Sequence, residues 1–275
     1  MRIAALVKQI PKFEEMRLGA DGRLVRNGLQ LHMNDYCRRG VRAGCDLAEA
    51  SGGSCTAITL GPPSADTVLR EAILCGCTGG LHVSDPAFAG SDTLATARAL
   101  AAALDRGGPW DLVLCGRNSV DADTGQVPAQ VAELLQLPLL TGARELEVDG
   151  DTVHAWLEHD DEWVRAEVDL PAVVSCAERL CDPCKVKDPQ AWATVDPDLI
   201  ELLDAAELRQ RSEKINQLRV QDGRAELPVE SHLLEAMESG IADCCGVALG
   251  MDRLAMVASG ATDIQQVIAF PFDRA

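Results

Sequence analysis

Short, continuously apolar runs alternate with stretches of helical spacing through the first 140 residues, and this constrains the chain more than anything else in it. R-I-A-A-L-V (2–7), T-A-I-T-L-G (56–61), G-L-H-V-S-D (80–85) and D-L-V-L-C-G (111–116) read as strands. Strands with no polar side need cover on both faces, and helix-length crossovers join such strands in parallel. The fold class expected is therefore α/β, a parallel sheet with flanking helices.

The helices between the strands carry start signals. Asn34 precedes D-Y-C-R-R-G-V-R-A-G-C-D-L-A-E-A-S. Pro62-Pro63-Ser64 precedes A-D-T-V-L-R-E-A-I-L-C-G, where Ser64 can cap. Ser91 or Asp92 can cap the Ala-rich T-L-A-T-A-R-A-L-A-A-A-L-D-R-G. A further helix runs from about Gln126 to Leu135. After the first strand comes a hairpin-like excursion with Asp21-Gly22 as its turn signal. Sheets of this kind bind ligands outside the carboxyl ends of their strands.

Near residue 143 the period changes to two. A-R-E-L-E-V-D-G-D-T-V-H-A-W-L-E-H-D-D-E-W-V-R-A-E-V-D-L-P-A-V-V-S predicts two or three antiparallel strands with Asp149-Gly150-Asp151 as a turn. From Glu145 to Asp169 there are ten acidic residues and one basic, Arg165, half of the chain's net charge of −18. Such a run reads as a solvated hairpin face, since it lacks the D-x-D-x-D-G spacing of a calcium loop. Past Asp196-Pro197 the spacing becomes helical, then Gly-punctuated. No internal repeat is visible.

Charge and composition exclude several classes. Lys plus Arg number 25 against 43 Asp plus Glu, so a nucleic-acid partner or an anionic membrane surface is not expected. Aromatics at 3% leave little for stacking on bases. No run of about 18 apolar residues is present, so no transmembrane helix is expected. The apolar stretch in M-R-I-A-A-L-V-K-Q-I-P-K-F is short and broken by Lys8, so the expected location is cytoplasmic. The cysteines at 37, 45, 55, 75, 77, 115, 176, 244 and 245 lie mostly in apolar runs and read as free thiols acting as small hydrophobes.

The richest segment chemically is C-G-R-N-S-V-D-A-D-T-G-Q-V (115–127). It leaves a buried strand at Gly116 and enters a helix through Thr124-Gly125-Gln126-Val127. Helix-start N–H groups with the dipole behind them suit an anion. Thr124 and Gln126 add neutral donors, whereas Asp121 and Asp123 suit caps or ribose hydroxyls. A capped helix without a ligand fits the same residues. There is no Walker A sequence and no G-x-G-x-x-G. The lone C-x-x-C, Cys181-Asp-Pro-Cys184, could serve zinc or redox chemistry, but reads as a loop with two free thiols. Histidines 32, 82, 154, 159 and 232 have no metal spacing, and His154 and His159 belong to the hairpin surface. No metal site and no catalytic set is expected.

Many ordered blocks resemble the β subunit of electron-transfer flavoproteins. They are V-K-Q-I-P (7–11), D-G-R-L-V-R-N-G (21–28), M-N-D (33–35), I-T-L-G-P-P (58–63), L-R-E-A-I-L-C-G (69–76), D-T-L-A-T-A (92–97), the segment 111–127 and L-P-A-V-V-S-C-A-E-R-L-C-D-P-C-K (170–185). The resemblance implies an adenine-nucleotide α-hydrolase-like fold over residues 1–200 and an electron carrier rather than an enzyme. In such a heterodimer the β subunit binds AMP or a second FAD, and an α subunit carries the redox-active FAD. Electrons come from flavin dehydrogenases and pass to a respiratory acceptor. By position, the nucleotide would contact Leu6, Asn34, Leu60, Asp121, Asp123, Thr124, Gly125, Gln126 and Val127. R-L-C-D-P-C-K resembles the family's recognition loop, with Leu180 as the partner-docking anchor. The chain departs from the family with P-K-F after V-K-Q-I and with Cys77-Thr78-Gly79 in place of Gly-Ala-Asp.

The tail, 201–275, resembles something else. From about Glu207 it is similar to the C-terminus of the lysyl-tRNA-synthetase-like ligase that lysylates elongation factor P. G-V-A-L-G-M-D-R (246–253) matches motif 3 of class II synthetases, where Gly250 would admit ATP and Arg253 would grip its phosphates. Nothing resembles motif 1 or motif 2. The chain thus reads as a fusion, with a stand-alone nucleotide-binding regulatory module or a ligase remnant as the alternatives.

Overall fold

The computed structural model describes residues 1–16, 28–158, 162–186 and 188–226. The chain divides into two compact units, and every described residue belongs to the first, Met1–Met16 with Arg26–Glu235. The expected Asp21-Gly22 turn, His159, His232, Cys244, Cys245 and the motif 3-like segment with Arg253 lie outside the described residues.

Nine strands form one sheet. In chain order they are β1 (Arg2–Val7), β4 (Ser54–Leu60), β5 (Gly79–Val83), β6 (Leu112–Gly116), β7 (Leu139–Asp149), β8 (Thr152–Glu158), β9 (Trp163–Asp169), β10 (Ala172–Cys176) and β11 (Ile200–Leu203). Their spatial order is β11-β5-β4-β1-β6-β10-β7-β8-β9. From β11 to β7 the pairings are parallel, and β8 and β9 add antiparallel strands at one edge. A separate antiparallel pair joins β2 (Gln9–Pro11) to β3 (Leu31–Met33).

The apolar runs become strands because alternate residues feed two different cores. Ile3, Ala5 and Val7 of β1 pack with Val41 and Ala48 of α1 (Asp35–Ala50) and Val68, Leu69 and Ala72 of α2 (Asp66–Leu74). Ala4 and Leu6 pack on the opposite face with α3 (Thr93–Gly107), α4 (Val127–Leu135) and α6 (Ala205–Gln221). The short α5 (Pro189–Trp192) packs against α2. The buried alanines of α3, Ala97, Ala99, Ala101, Ala102 and Ala103, let that helix sit close to the sheet and its neighbours. Asp92 caps α3, accepting from Ala95 N at 2.7 Å. At Gly116 a Cβ would come within 2.9 Å of Tyr36 Cβ, so only glycine lets α1 sit this close to the end of β6.

Four sequence expectations are corrected. Ser64 does not cap α2: Ala65 occupies that position without a side-chain cap, behind a 3₁₀ turn over Pro63–Ala65. Ser64 instead faces Gln9. Helical spacing past Pro197 gives way to β11 at Ile200–Leu203, because a four-residue apolar run carries too little period to separate helix from strand. A-V-V-S-C leaves the hairpin and enters the parallel sheet between β6 and β7. Cys184 is not a free thiol and neither is Cys75; they form a disulfide across 109 residues. That separation hides the pair from any local reading. The acidic run is, as expected, a hairpin face: β9 alternates exposed and half-buried residues, while Val153, Ala155 and Leu157 of β8 point into the core.

A buried ion pair locks α1 to α2. Arg38 and Glu71 have side chains only 2% exposed. Their fork is bidentate, with Arg38 Nη2 donating to Glu71 Oε2 at 3.1 Å. Arg38 Nε also lies 3.2 Å from Asp35 Oδ1, and two further bonds go to the segment after β10: Arg38 Nη1 donates to Cys184 O at 3.2 Å, and Val186 N donates to Glu71 Oε1 at 3.1 Å. Deleting Glu71 leaves the buried Arg38 with the mostly exposed Asp35 as its counter-ion, a poor substitute for a buried bidentate carboxylate. Glu71→Ala should therefore lose about 3–5 kcal/mol of stability in urea unfolding. A loss under about 1 kcal/mol would mean that the pair does not organise this side of the molecule.

Candidate functional site

The carboxyl ends of β1, β4 and β6 open on one edge, where Leu6 pairs with Ile58 and Cys115, and Leu60 with Val83. Leu6 and Leu60 turn their side chains into the apolar core, so they offer only backbone to that edge. The segment 117–126 lies across it, between β6 and α4.

Three anchors shape this segment. Lys8, just past β1, brings Nζ to 2.7 Å from Asp121 Oδ1 and donates to Ser119 Oγ at 2.9 Å. The Asp121 side chain is 1% exposed, so this carboxylate is a structural partner at the base of the loop. Asn34, fully buried, donates through Nδ2 to Asn118 O at 2.9 Å and accepts from Val120 N through Oδ1 at 3.3 Å. Asp123 accepts from Asn118 Nδ2, and its N–H donates to Ser119 O at 2.7 Å. Asp123 has φ +50 and Gly125 φ +63, so the chain passes twice through the left-handed region within three residues.

A cavity of about 500 Å³ opens beside the loop. One wall is Arg117, Asn118, Asp123, Thr124 and Gly125, continued by Pro128 and Ala129 at the start of α4. The other is Thr141 and Gly142 of β7, Glu158 of β8 and Ser175 of β10. Gly142 has φ +70, and its N–H donates to Ser175 Oγ at 2.9 Å. Arg117 reaches Glu158 only loosely, at 3.8 Å. Glu158 pairs more closely with Arg144, at 2.9 Å. Burial raises the thiols of Cys37, Cys115 and Cys176 above their ordinary value, so they stay neutral and supply no nucleophile beneath the edge.

Of the nine residues expected to touch a nucleotide, Asp123, Thr124 and Gly125 line the cavity. Asn34 and Asp121 brace the loop from inside. Gln126 turns its side chain to α3, accepting from Thr93 Oγ1 at 2.9 Å. Val127 begins α4 and packs on the core. Leu180 is half-buried against the core on the α1 and α2 face. Sequence inspection missed Lys8, which looked like a mere interruption of an apolar run, and the whole second wall. Gly142, a glycine inside a strand pattern, was the one available signal for that wall.

The cavity suits a polar, nucleotide-sized group. Asn118 Oδ1 is buried there with no hydrogen-bond partner. Glycines on both walls leave backbone uncovered: a Cβ on Gly125 would meet only Arg117 O, at 3.6 Å.

Comparison with known proteins gives the family. Residues 21–222 match the model of the electron transfer flavoprotein domain, and residues 200–274 match that of class II tRNA synthetases (D, K and N). The electron transfer flavoprotein subunit beta of Thermoanaerobacterium thermosaccharolyticum is 35% identical over 66% of this chain and 70% of that protein. The subunit beta of Clostridium acetobutylicum is 33% identical over 72% of this chain and 77% of its own length. The caffeyl-CoA reductase-Etf complex subunit CarD of Acetobacterium woodii is 32% identical over 66% and 71%.

Lys8→Met strips the cation from a buried carboxylate and should loosen the loop it holds. Tryptic cleavage after Arg117 should then speed up about tenfold, because cleavage follows the open population of a segment. An unchanged rate would mean that the ion pair does not set the loop's shape.

Proposed function

Since the chain belongs to the electron transfer flavoprotein family, an electron carrier related to its β subunits, we propose that it binds an adenine nucleotide at the sheet edge and docks dehydrogenases for a flavin-bearing α subunit. The nucleotide is AMP or a second FAD, which carries the same adenosine monophosphate. The observation that carries this reading is the cavity between segment 117–125 and Gly142. It has the size, the uncovered backbone and the unpartnered Asn118 Oδ1 that such a group needs. Arg117, the cation on its wall, meets the phosphate, and Asp123 and Thr124 meet ribose hydroxyls.

Electron chemistry rests with FAD, held mainly by the α subunit. This chain's residues position and dock. The segment 178–185 is the dehydrogenase-facing loop, with Leu180 as its anchor. It is tied down by the Cys75–Cys184 disulfide and by Cys181 Sγ on Arg39 O at 3.4 Å. A pinned loop loses little entropy on docking. Among the described residues no helix is long and apolar enough to cross a membrane.

We place the boundary of the family domain near residue 222, beyond the expected 200, because β11 pairs with β5 and α6 packs on the core beside α3. The remaining tail has no adenylation role in this reading. In class II synthetases motif 3 supplies one side of an ATP site, and nothing in this sequence resembles the motifs 1 and 2 that complete it.

Mixed with its α subunit, the chain should pass electrons from a flavin dehydrogenase. Leu180→Ala should slow that transfer about tenfold while the heterodimer and its nucleotide remain intact, since anchors dominate docking energy. Transfer at the original rate with every flavin dehydrogenase tried would remove Leu180 from this role.

A further inference from the structure

Three of the free cysteines converge near the amino ends of β4 and β5, opposite the cavity. Cys45 lies on α1, Cys55 is the second residue of β4, and Cys77 lies in the turn between α2 and β5. Cys45 Sγ is 3.8 Å from Cys77 Sγ, and Cys77 Sγ is 3.7 Å from Cys55 Sγ. All three sulfurs lie within 4.8 Å of one another. Two thiolates on a tetrahedral zinc ion, at Zn–S of about 2.3 Å, stand about 3.8 Å apart. Two of the three sulfur pairs already hold that spacing.

The surrounding backbone keeps them there. Thr78 bonds Cys55 O twice, through N at 2.7 Å and Oγ1 at 3.0 Å, and Cys77 N donates to Ala72 O at 3.0 Å. Glycines leave the room the sulfurs fill. A Cβ on Gly44 would come within 2.9 Å of Cys55 Sγ, and one on Gly76 within 3.4 Å of Cys45 Sγ. Cys55 and Cys77 are buried, while Cys45 is partly exposed. The cluster therefore has a shielded floor and one side open to entry. Soft thiolates select thiophilic ions, and among the described residues no fourth ligand joins the group.

We propose that Cys45, Cys55 and Cys77 form a three-thiolate site for a thiophilic divalent ion of the zinc type, with its fourth position left to water or a donor entering past Cys45. Binding breaks three S–H bonds and forms three metal–sulfur bonds; the protons go to solvent and no electrons move. The ion would clamp α1 to β4 and to the turn that also carries Cys75 of the disulfide.

Cobalt(II), added under argon to the metal-free full chain, reads this out. The expected result is an intense sulfur-to-cobalt charge-transfer absorption that saturates at one equivalent and is bleached by one equivalent of zinc(II). It should be lost in Cys45→Ser and in Cys77→Ser. It should survive in Cys181→Ser, the other partly exposed free thiol among the described residues, and in the double variant Cys244→Ser, Cys245→Ser. Cys45→Ser, at a partly exposed position, keeps the result readable if Cys77→Ser fails to fold. Absence of the band in the unaltered chain, its survival in Cys45→Ser, or its loss in the Cys244→Ser, Cys245→Ser variant would each overturn the proposal and leave the three thiols as apolar filler.

Discussion

A parallel sheet ends in a row of unsaturated backbone at its carboxyl edge, and here one ion pair decides what covers it. The Asp121 side chain is 1% exposed, and Lys8 at 2.7 Å supplies a counter-charge where water is excluded. With that pair in place, Asn34 takes the carbonyl of Asn118 and the amide of Val120, and the segment closes over β1 and β6 in a fixed shape. The left-handed residues Asp123 and Gly125 then face the cavity. Carboxylates that look hostile to a phosphate in the sequence thus have separate tasks: Asp121 neutralises Lys8, and Asp123 is held by Asn118.

On the α1 and α2 face, Arg38 and Glu71 perform the matching task for the segment after β10. Each buried group uses its spare hydrogen-bonding capacity on the backbone of 184–186, and the disulfide adds a covalent tie at Cys184. Buried charges of this kind add little net stability but penalise any other arrangement of the groups they satisfy. In the proposed reading the two faces differ in purpose: the carboxyl edge takes a small molecule in its polar cavity, and the pinned loop around Leu180 docks a protein.

How much of this was legible depended on sequence distance. The strands of the parallel sheet were plain because β1, β4, β5 and β6 are apolar on both sides, as Ile3, Ala5 and Val7 against Ala4 and Leu6 show. Asp92 declared its cap locally, whereas Ser64, with the same local chemistry, was drawn to Gln9, 55 residues away. The near wall of the cavity could be read from one continuous segment. Its far wall, from Thr141 to Ser175, joins only because β10 slips between β6 and β7, a choice made by the whole sheet. The same limit hid the Cys75–Cys184 bond and the convergence of Cys45, Cys55 and Cys77, which lie on three different elements.

The proposed adenine-nucleotide site lies at the carboxyl edge between these two walls. Hydrogen exchange of the full chain with and without AMP tests it most directly. Amides of 123–126 on one wall and of 141–142 on the other should gain protection together, those of 45–50 at the far end of α1 should not change, and Gly125→Val, strained at φ +63, should lose the effect. Protection confined to another region, or none at saturating AMP, would rule this site out.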